Sequence, residues 1–198
     1  IIDKASKETT RVLSVAAAHD EDVLRAIVNA RKSSIISVIL IGDADRISRI
    51  LRAFGEKDQD YRIVDAPMSE CAEKAVEFVK SGEAGFLMKG LIGTTDLMRA
   101  VVKSDTGLRT ENLISHVMLY EVPGYPEILA LTDGGMNTFP DLEKKRQILH
   151  NAAGMLKILG YSEIVAACIC GTEVVNPKVQ STIDAEKLAA MTEQWKAY

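Results

Sequence analysis

The sequence predicts an α/β protein with a largely parallel, helix-covered sheet in its first part and the start of a second α/β domain after it. Three observations predict this. From residue 12 to about residue 103, short apolar runs alternate four times with longer amphipathic runs. Serial β-α units of this kind place parallel strands side by side and cover both faces with helices. Near residue 115 the pattern changes to two apolar runs joined by Pro123-Gly124-Tyr125-Pro126, a connection short enough to require an antiparallel pair. The composition is that of an ordinary globular chain: 198 residues, 47% apolar and 26% charged.

Each element has a local reason. Residues 12–17 (VLSVAA) read as a buried strand. A helix follows, with Val23, Leu24, Ile27 and Val28 on one face and Asp20 as N-cap, its carboxylate accepting from the free N–H groups of the first turn. Residues 37–42 (SVILIG) form the next strand, and Asp43 or Asp45 caps a helix that turns Ile47, Ile50, Leu51 and Phe54 inward and ends at Gly55. A short strand over 61–64, a helix over Met68–Lys80, a strand over 85–88 and a helix over 96–103 complete the series. Strands over 115–122 and 127–132 make the hairpin. A long helix over 140–159 starts with Pro140 at its first position and Asp141 in its first turn. A buried strand over 164–169 and a helix over 184–195, with Thr182 as a cap, close the chain. The change of pattern sets domains of 1–114 and 115–198.

Composition also narrows function. A net charge of −4 and only 5% aromatic residues argue against a nucleic-acid partner, which wants a basic face or a stacking platform. No apolar run approaches the roughly 20 residues that cross a membrane. Three cysteines, none in a CxxC pair, read as reduced thiols in a cytoplasmic protein, and Cys168 and Cys170 as buried residues of a strand rather than zinc ligands.

Three segments carry chemistry. The run Met88-Lys89-Gly90-Leu91-Ile92-Gly93-Thr94-Thr95 lies where a parallel strand gives way to a helix, the edge at which open α/β sheets hold ligands. Glycines admit an anion to backbone N–H groups, the helix start adds partial positive charge, Lys89 adds a full one, and Thr94 and Thr95 add hydroxyls. A Gly-rich turn with a surface lysine and a threonine N-cap explains the same string equally well. Gly107-Leu108-Arg109 offers a guanidinium fork for phosphate or carboxylate. Ser115 and His116 begin the first hairpin strand. As neighbours on a strand they point to opposite faces and cannot act as a nucleophile–base pair. A lone histidine such as His116 is more often structural than an acid or base. The third segment runs from Thr132 through Asp133-Gly134-Gly135-Met136 to Asn137, again a strand end leading to a helix. Asp133 and Asn137 either face a ligand or make a turn, and the turn is the simpler reading. His19, Glu173 and Asn176 sit at the same edge with weaker claims.

Taken in order, Ala16-Ala17-Ala18-His19-Asp20, Gly82-Glu83-Ala84, Met88-Lys89-Gly90, Thr94-Thr95, Gly107-Leu108-Arg109, Ser115-His116-Val117, Thr132-Asp133-Gly134-Gly135-Met136-Asn137, Pro140-Asp141-Leu142 with Lys145, and Glu173-Val174-Val175-Asn176-Pro177 form a series. This series resembles the phosphate acetyl/butyryl transferases, and more the phosphate butyryltransferase branch. The resemblance covers nearly the whole chain. It implies a two-domain, three-layer αβα fold of the isocitrate/isopropylmalate dehydrogenase type, in a homodimer or larger homo-oligomer. The implied reaction moves a short acyl group between CoA and inorganic phosphate, with CoA and phosphate as substrates and no metal or other cofactor. Ser115, His116 and Asp133 are then the candidate catalytic residues, and Lys89, Gly90, Thr94, Thr95, Arg109 and Asn137 the candidates for binding phosphate or CoA.

The family's members continue beyond the position matching Tyr198 into a Gly-Pro stretch and a Ser-Arg-Asp cluster. The resemblance therefore implies a chain truncated at its C-terminus, with the return segment of its first domain missing. Two other readings stand beside the butyryl transferase: an acetyl-specific phosphotransacetylase, and a non-catalytic module that binds CoA or phosphate. The related phospho-hydroxythreonine dehydrogenases need metal ligands for which the sequence shows no suitable set.

Overall fold

The computed structural model describes residues 11–33 and 35–196. They divide into two compact units, one up to Thr110 and one from Glu111 on.

The first unit is a run of β-α pairs: β1 (Arg11–Ala16), α1 (Glu21–Lys32), β2 (Ile36–Gly42), α2 (Ala44–Ala53), β3 (Arg62–Asp65), α3 (Met68–Lys80), β4 (Phe86–Lys89) and α4 (Thr94–Val101). The four strands lie in the order β3-β2-β1-β4, all parallel. Side chains alternate across the pleat. Leu13 and Val15 of β1 and Val38 and Leu40 of β2 pack with Leu24, Ile27, Ile47 and Leu51 of α1 and α2. Ala16 of β1 and Ile39 and Ile41 of β2 pack with Cys71, Ala75 and Val76 of α3 and Leu97 and Ala100 of α4. Strands buried on both faces are therefore near-continuous apolar runs, as a parallel sheet requires. The polar exception, Ser14, is fully buried and donates its hydroxyl to the Ala75 carbonyl at 2.9 Å.

The predicted caps form. Asp20 accepts from the N–H groups of Asp22 and Val23, and Asp43 from that of Arg46. Helix α4 starts two residues before its predicted start, at Thr94, and its N-cap is Gly93, so neither Thr94 nor Thr95 serves as the cap.

The second unit holds β5 (Val117–Tyr120), β6 (Leu129–Thr132), α5 (Leu142–Ile158), α6 (Gln180–Ala190) and α7 (Thr192–Trp195). β5 and β6 pair antiparallel, Val117 opposite Thr132 and Tyr120 opposite Leu129. Three expectations need correction here. Asp141 is the N-cap of α5, accepting from Lys144 N at 2.9 Å, and Pro140 precedes the helix. The final helix begins at Gln180 and breaks at Met191 into two. Thr182 lies inside α6 and back-bonds to the carbonyls of Val179 and Asn176. Residues 164–169 are not a strand, and Val165 and Ile169 are 90% and 85% exposed. An apolar run becomes a strand only when a neighbour completes its ladder, and among the described residues no strand pairs with it. Cys168 is accordingly exposed rather than buried.

Candidate functional site

In the first unit the carboxyl ends of β1 and β4 build a loop held by backbone. Gly90 N donates to Ala16 O and Leu91 N to Ala17 O, both at 2.8 Å, so the residues after β4 lie across the end of β1. Ala17, with φ of 57°, adopts the left-handed conformation that a side chain disfavours by roughly 1–2 kcal/mol. Gly90 is buried, and a Cβ there would stand 2.3 Å from Ala17 O and 2.6 Å from Ala16 O. Its glycine identity is thus explained by close backbone approach.

Lys89 turns back on the same loop, donating from Nζ to Ile92 O at 3.1 Å and Gly90 O at 3.4 Å. One of its three ammonium protons remains for another acceptor. Thr94 and Thr95 are exposed at the start of α4, where Gly93 supplies no capping side chain and Gly93 O takes the Asp96 N–H at 3.1 Å, with the positive end of the helix dipole at this turn. Gly107 is wedged against the end of α4, where a Cβ would meet the carbonyls of Lys103 and Val101 at 2.5 Å, and Leu108 N donates to Val101 O at 2.7 Å. This anchors the chain just before Arg109, whose side chain is exposed. His19, buried at the end of β1, accepts at Nδ1 from Asp43 N at 3.3 Å and so ties β1 to the start of α2. A Cβ on Gly42 would collide with that ring.

In the second unit, side chains do the holding. Ser115 and His116, expected to begin the first hairpin strand, instead precede it: β5 starts at Val117, and residues 113–116 belong to no ladder. Leu113 O accepts from Asn151 Nδ2 at 2.8 Å, Ile114 O from Asn137 Nδ2 at 3.0 Å and His116 O from Thr132 Oγ1 at 2.7 Å. Leu113 N donates to Gln147 Oε1 at 3.2 Å. Ser115 Oγ lies 2.9 Å from Asn151 Nδ2. His116 Nδ1 is buried without a hydrogen-bond partner and faces Gly134, where a Cβ would approach to 3.0 Å.

Asp133 forms a turn of the predicted kind, accepting from the N–H groups of Gly135 and Met136 and from the Asn137 amide. Burial pushes its carboxyl up, but the Asn137 amide and the N–H groups of Met136, Gly135 and Asn137 outweigh that and hold it below the usual carboxylate range. Asp133 is therefore an ionised acceptor at neutral pH with its oxygens largely used.

The structure thus joins Lys89, Gly90, Thr94 and Thr95 on one loop, with Arg109 further along the first unit. In the second unit it joins Asp133 to Asn137, and Asn137 to the backbone beside Ser115 and His116. Asn176 caps a local turn, accepting from Lys178 N at 2.9 Å, and Glu173 is exposed. Sequence reasoning missed Gln147 and Asn151, which stand one helical turn apart on α5. Two amide side chains at i and i+4 on a half-buried face were the available signal.

The chain is similar to known proteins over nearly its whole span. The family described as Phosphate acetyl/butaryl transferase matches residues 43–197. A phosphate butyryltransferase of Clostridium acetobutylicum is 38% identical over 195 residues, covering 98% of this chain and 65% of the relative. A phosphate acetyltransferase of Rhizobium meliloti is 37% identical over 195 residues, covering 98% of this chain and 62% of that protein. The chain thus spans slightly less than two thirds of the length of these relatives. Among solved structures, a branched-chain phosphotransacylase from Enterococcus faecalis V583 superposes with a TM-score of 0.80 at 25% identity, covering 91% of this chain and 63% of that one.

Proposed function

The chain belongs to the phosphate acetyl/butyryl transferase family, and from that premise we propose that it takes part in the reversible transfer of a short acyl group, butyryl or similar, between CoA and inorganic phosphate. Toward acyl phosphate, a phosphate oxygen attacks the thioester carbonyl carbon, forming a C–O bond and an oxyanion. Collapse of that intermediate breaks the C–S bond, and the departing CoA thiolate takes up the proton that phosphate loses. Such a site must hold a polyanion and place donors where the oxyanion grows.

The observation that carries this reading is the loop after β4. It offers the exposed Thr94 and Thr95 at a helix start that no side chain caps, and the Lys89 ammonium on the same loop. Lys89, Thr94, Thr95 and Arg109 take the phosphate, and Gly90 sets the loop by its close approach to β1. Ser115 and His116 line the acyl-phosphate site, the serine as a hydroxyl donor. Asp133 acts as the ionised anchor of Asn137, whose amide holds the backbone beside Ser115.

This reading includes an isocitrate/isopropylmalate dehydrogenase-type fold with domains of residues 1–114 and 115–198, a homo-oligomer and a cytoplasmic location. No helix among the described residues is long and apolar enough to cross a membrane.

The test is CoA release from butyryl-CoA in phosphate buffer, followed with a disulfide reagent, with acetyl-CoA run in parallel. Faster release with butyryl-CoA is expected, and faster release with acetyl-CoA assigns the acetyl branch. No phosphate-dependent release from any C2–C5 acyl-CoA overturns the proposal.

A further inference from the structure

We propose that Asn151 is a positioning residue for Ser115, fixing the serine hydroxyl as a hydrogen-bond donor toward substrate. The inference rests on the role given to Ser115 above and adds a residue that role depends on.

The chemistry of the partners sets the orientation of the Asn151 amide. Its Nδ2 lies 2.8 Å from Leu113 O, and a backbone carbonyl can only accept. The NH2 group must therefore face Leu113, since the amide oxygen in that place would set two acceptors against each other. An NH2 group has two protons in fixed directions. One goes to Leu113 O, and the other is directed to Ser115 Oγ at 2.9 Å. Ser115 is thus an acceptor from Asn151. Its own O–H proton is not used in that bond and turns to whatever acceptor approaches, such as a phosphate oxygen or a developing oxyanion. With alanine at 151 the hydroxyl rotates freely and the donor orientation is lost.

The segment is built for this. Residues 113–116 have no ladder, and Leu113 is gripped at both its polar groups, by Asn151 at the carbonyl and by Gln147 at the N–H. Those two residues are one turn apart on α5, a 17-residue helix whose Ile148 and Ala152 are buried in the second unit. Mounting the serine on a packed helix preorganises a group that an irregular loop would leave mobile.

The experiment compares Ser115→Ala, Asn151→Ala and the double variant, reading kcat and KM for CoA release from butyryl-CoA together with the thermal midpoint. Ser115→Ala is expected to lower kcat about tenfold, in line with one lost hydrogen bond to a charged group. Asn151→Ala should lower kcat by a similar factor with little change in the butyryl-CoA KM. The double variant should be no slower than Ser115→Ala alone, although its midpoint falls further. A merely structural role would reduce activity in the Ser115→Ala background as well. Asn151→Asp keeps the size but sets a carboxylate oxygen against Leu113 O, so both variants are assayed below their thermal midpoints, where kcat per folded molecule is read. That carboxylate draws the Ser115 proton to itself, and kcat should fall at least as far as in Asn151→Ala. An Asn151→Ala protein with unchanged kcat beside an impaired Ser115→Ala, or a double variant whose losses multiply, overturns this inference alone. An unimpaired Ser115→Ala protein overturns both it and the role given to Ser115.

Discussion

In the first unit, Gly90 and Leu91 hang from the end of β1 by their own N–H groups. In the second, the carbonyls of Leu113, Ile114 and His116 hang from the side chains of Asn151, Asn137 and Thr132. The cores differ in the same sense. Leu40 is fully buried between two helix layers, whereas Leu131 on the β5–β6 hairpin is 52% exposed. A sheet covered on both faces fixes its strand ends by regular geometry. A two-stranded ribbon cannot, so the residues beside it are placed one hydrogen bond at a time. The difference teaches where each unit is vulnerable: the first to changes of volume, the second to loss of single polar atoms.

The largest expected effect tests that contrast directly. Leu40→Ala should cost about 2–5 kcal/mol in denaturant unfolding, from lost burial and the cavity left behind. Leu131→Ala, at an exposed position, should cost about 0.5 kcal/mol or less. Equal costs at the two sites would erase the contrast.

Next comes Arg109. Its guanidinium is exposed, while Lys89 is partly spent on its own loop. If Arg109 forks onto phosphate, Arg109→Ala should cost about 1.5–3 kcal/mol, or roughly 10- to 150-fold in the phosphate KM. The unfolding midpoint should stay in place. A phosphate dependence like that of the unaltered protein would remove Arg109 from the site.

Gly90→Ala ranks third. The added methyl meets two backbone oxygens that cannot step aside, so overpacking should cost about 1–3 kcal/mol. Phosphate affinity should fall with it, since Thr94 and Thr95 follow on the same loop. Gly135→Ala, at a loop position where nothing lies within 4 Å, leaves room but has φ of 142°. Its cost should come from the backbone alone, about 1 kcal/mol. A Gly90→Ala protein as stable as the parent would mean that the loop is not held by β1.

The same contrast explains what was legible in the sequence. The β-α series was readable to within about two residues because burial on both faces writes apolar runs and amphipathic periods into the chain. Asp20 was readable as a cap, and the second cap as Asp43 or Asp45, because an N-cap needs a particular residue type at a particular place. Residues 164–169 misled, since ILE/VAL-type composition states that a run is apolar and not what it pairs with. The loop from Lys89 to Thr95 was legible as a site because strand end, glycines and helix start are all local. Asn151 was not, because its partners Leu113 and Ser115 are 38 and 36 residues away. An amide on a helix carries no mark of a distant carbonyl.

The smallest expected effect is one of pH, and it probes whether single polar contacts do govern the second unit. Asp184 is nearly buried and receives Lys145 Nζ at 2.6 Å and Gln180 Nε2 at 2.8 Å. The Lys145 hydrogen bond holds its carboxyl below the ordinary range, against burial, which pushes it up. A carboxyl depressed in the folded state adds stability above its unfolded pKa, and that stability is lost as pH falls through the folded value. Acidification from pH 5 to pH 3 should therefore weaken the link between α5 and α6. Asp184→Asn removes the titrating group and should start less stable at pH 7, because Lys145 loses its counter-charge. Its stability should then fall less steeply with acid than that of the parent chain. Hydrogen exchange at the amides of α6 reads this locally, apart from carboxyls elsewhere such as Glu56 and Asp58, whose pKa values are also lowered. Parallel acid profiles for parent and variant at those amides would show that the Lys145–Asp184 pair adds nothing to holding α6.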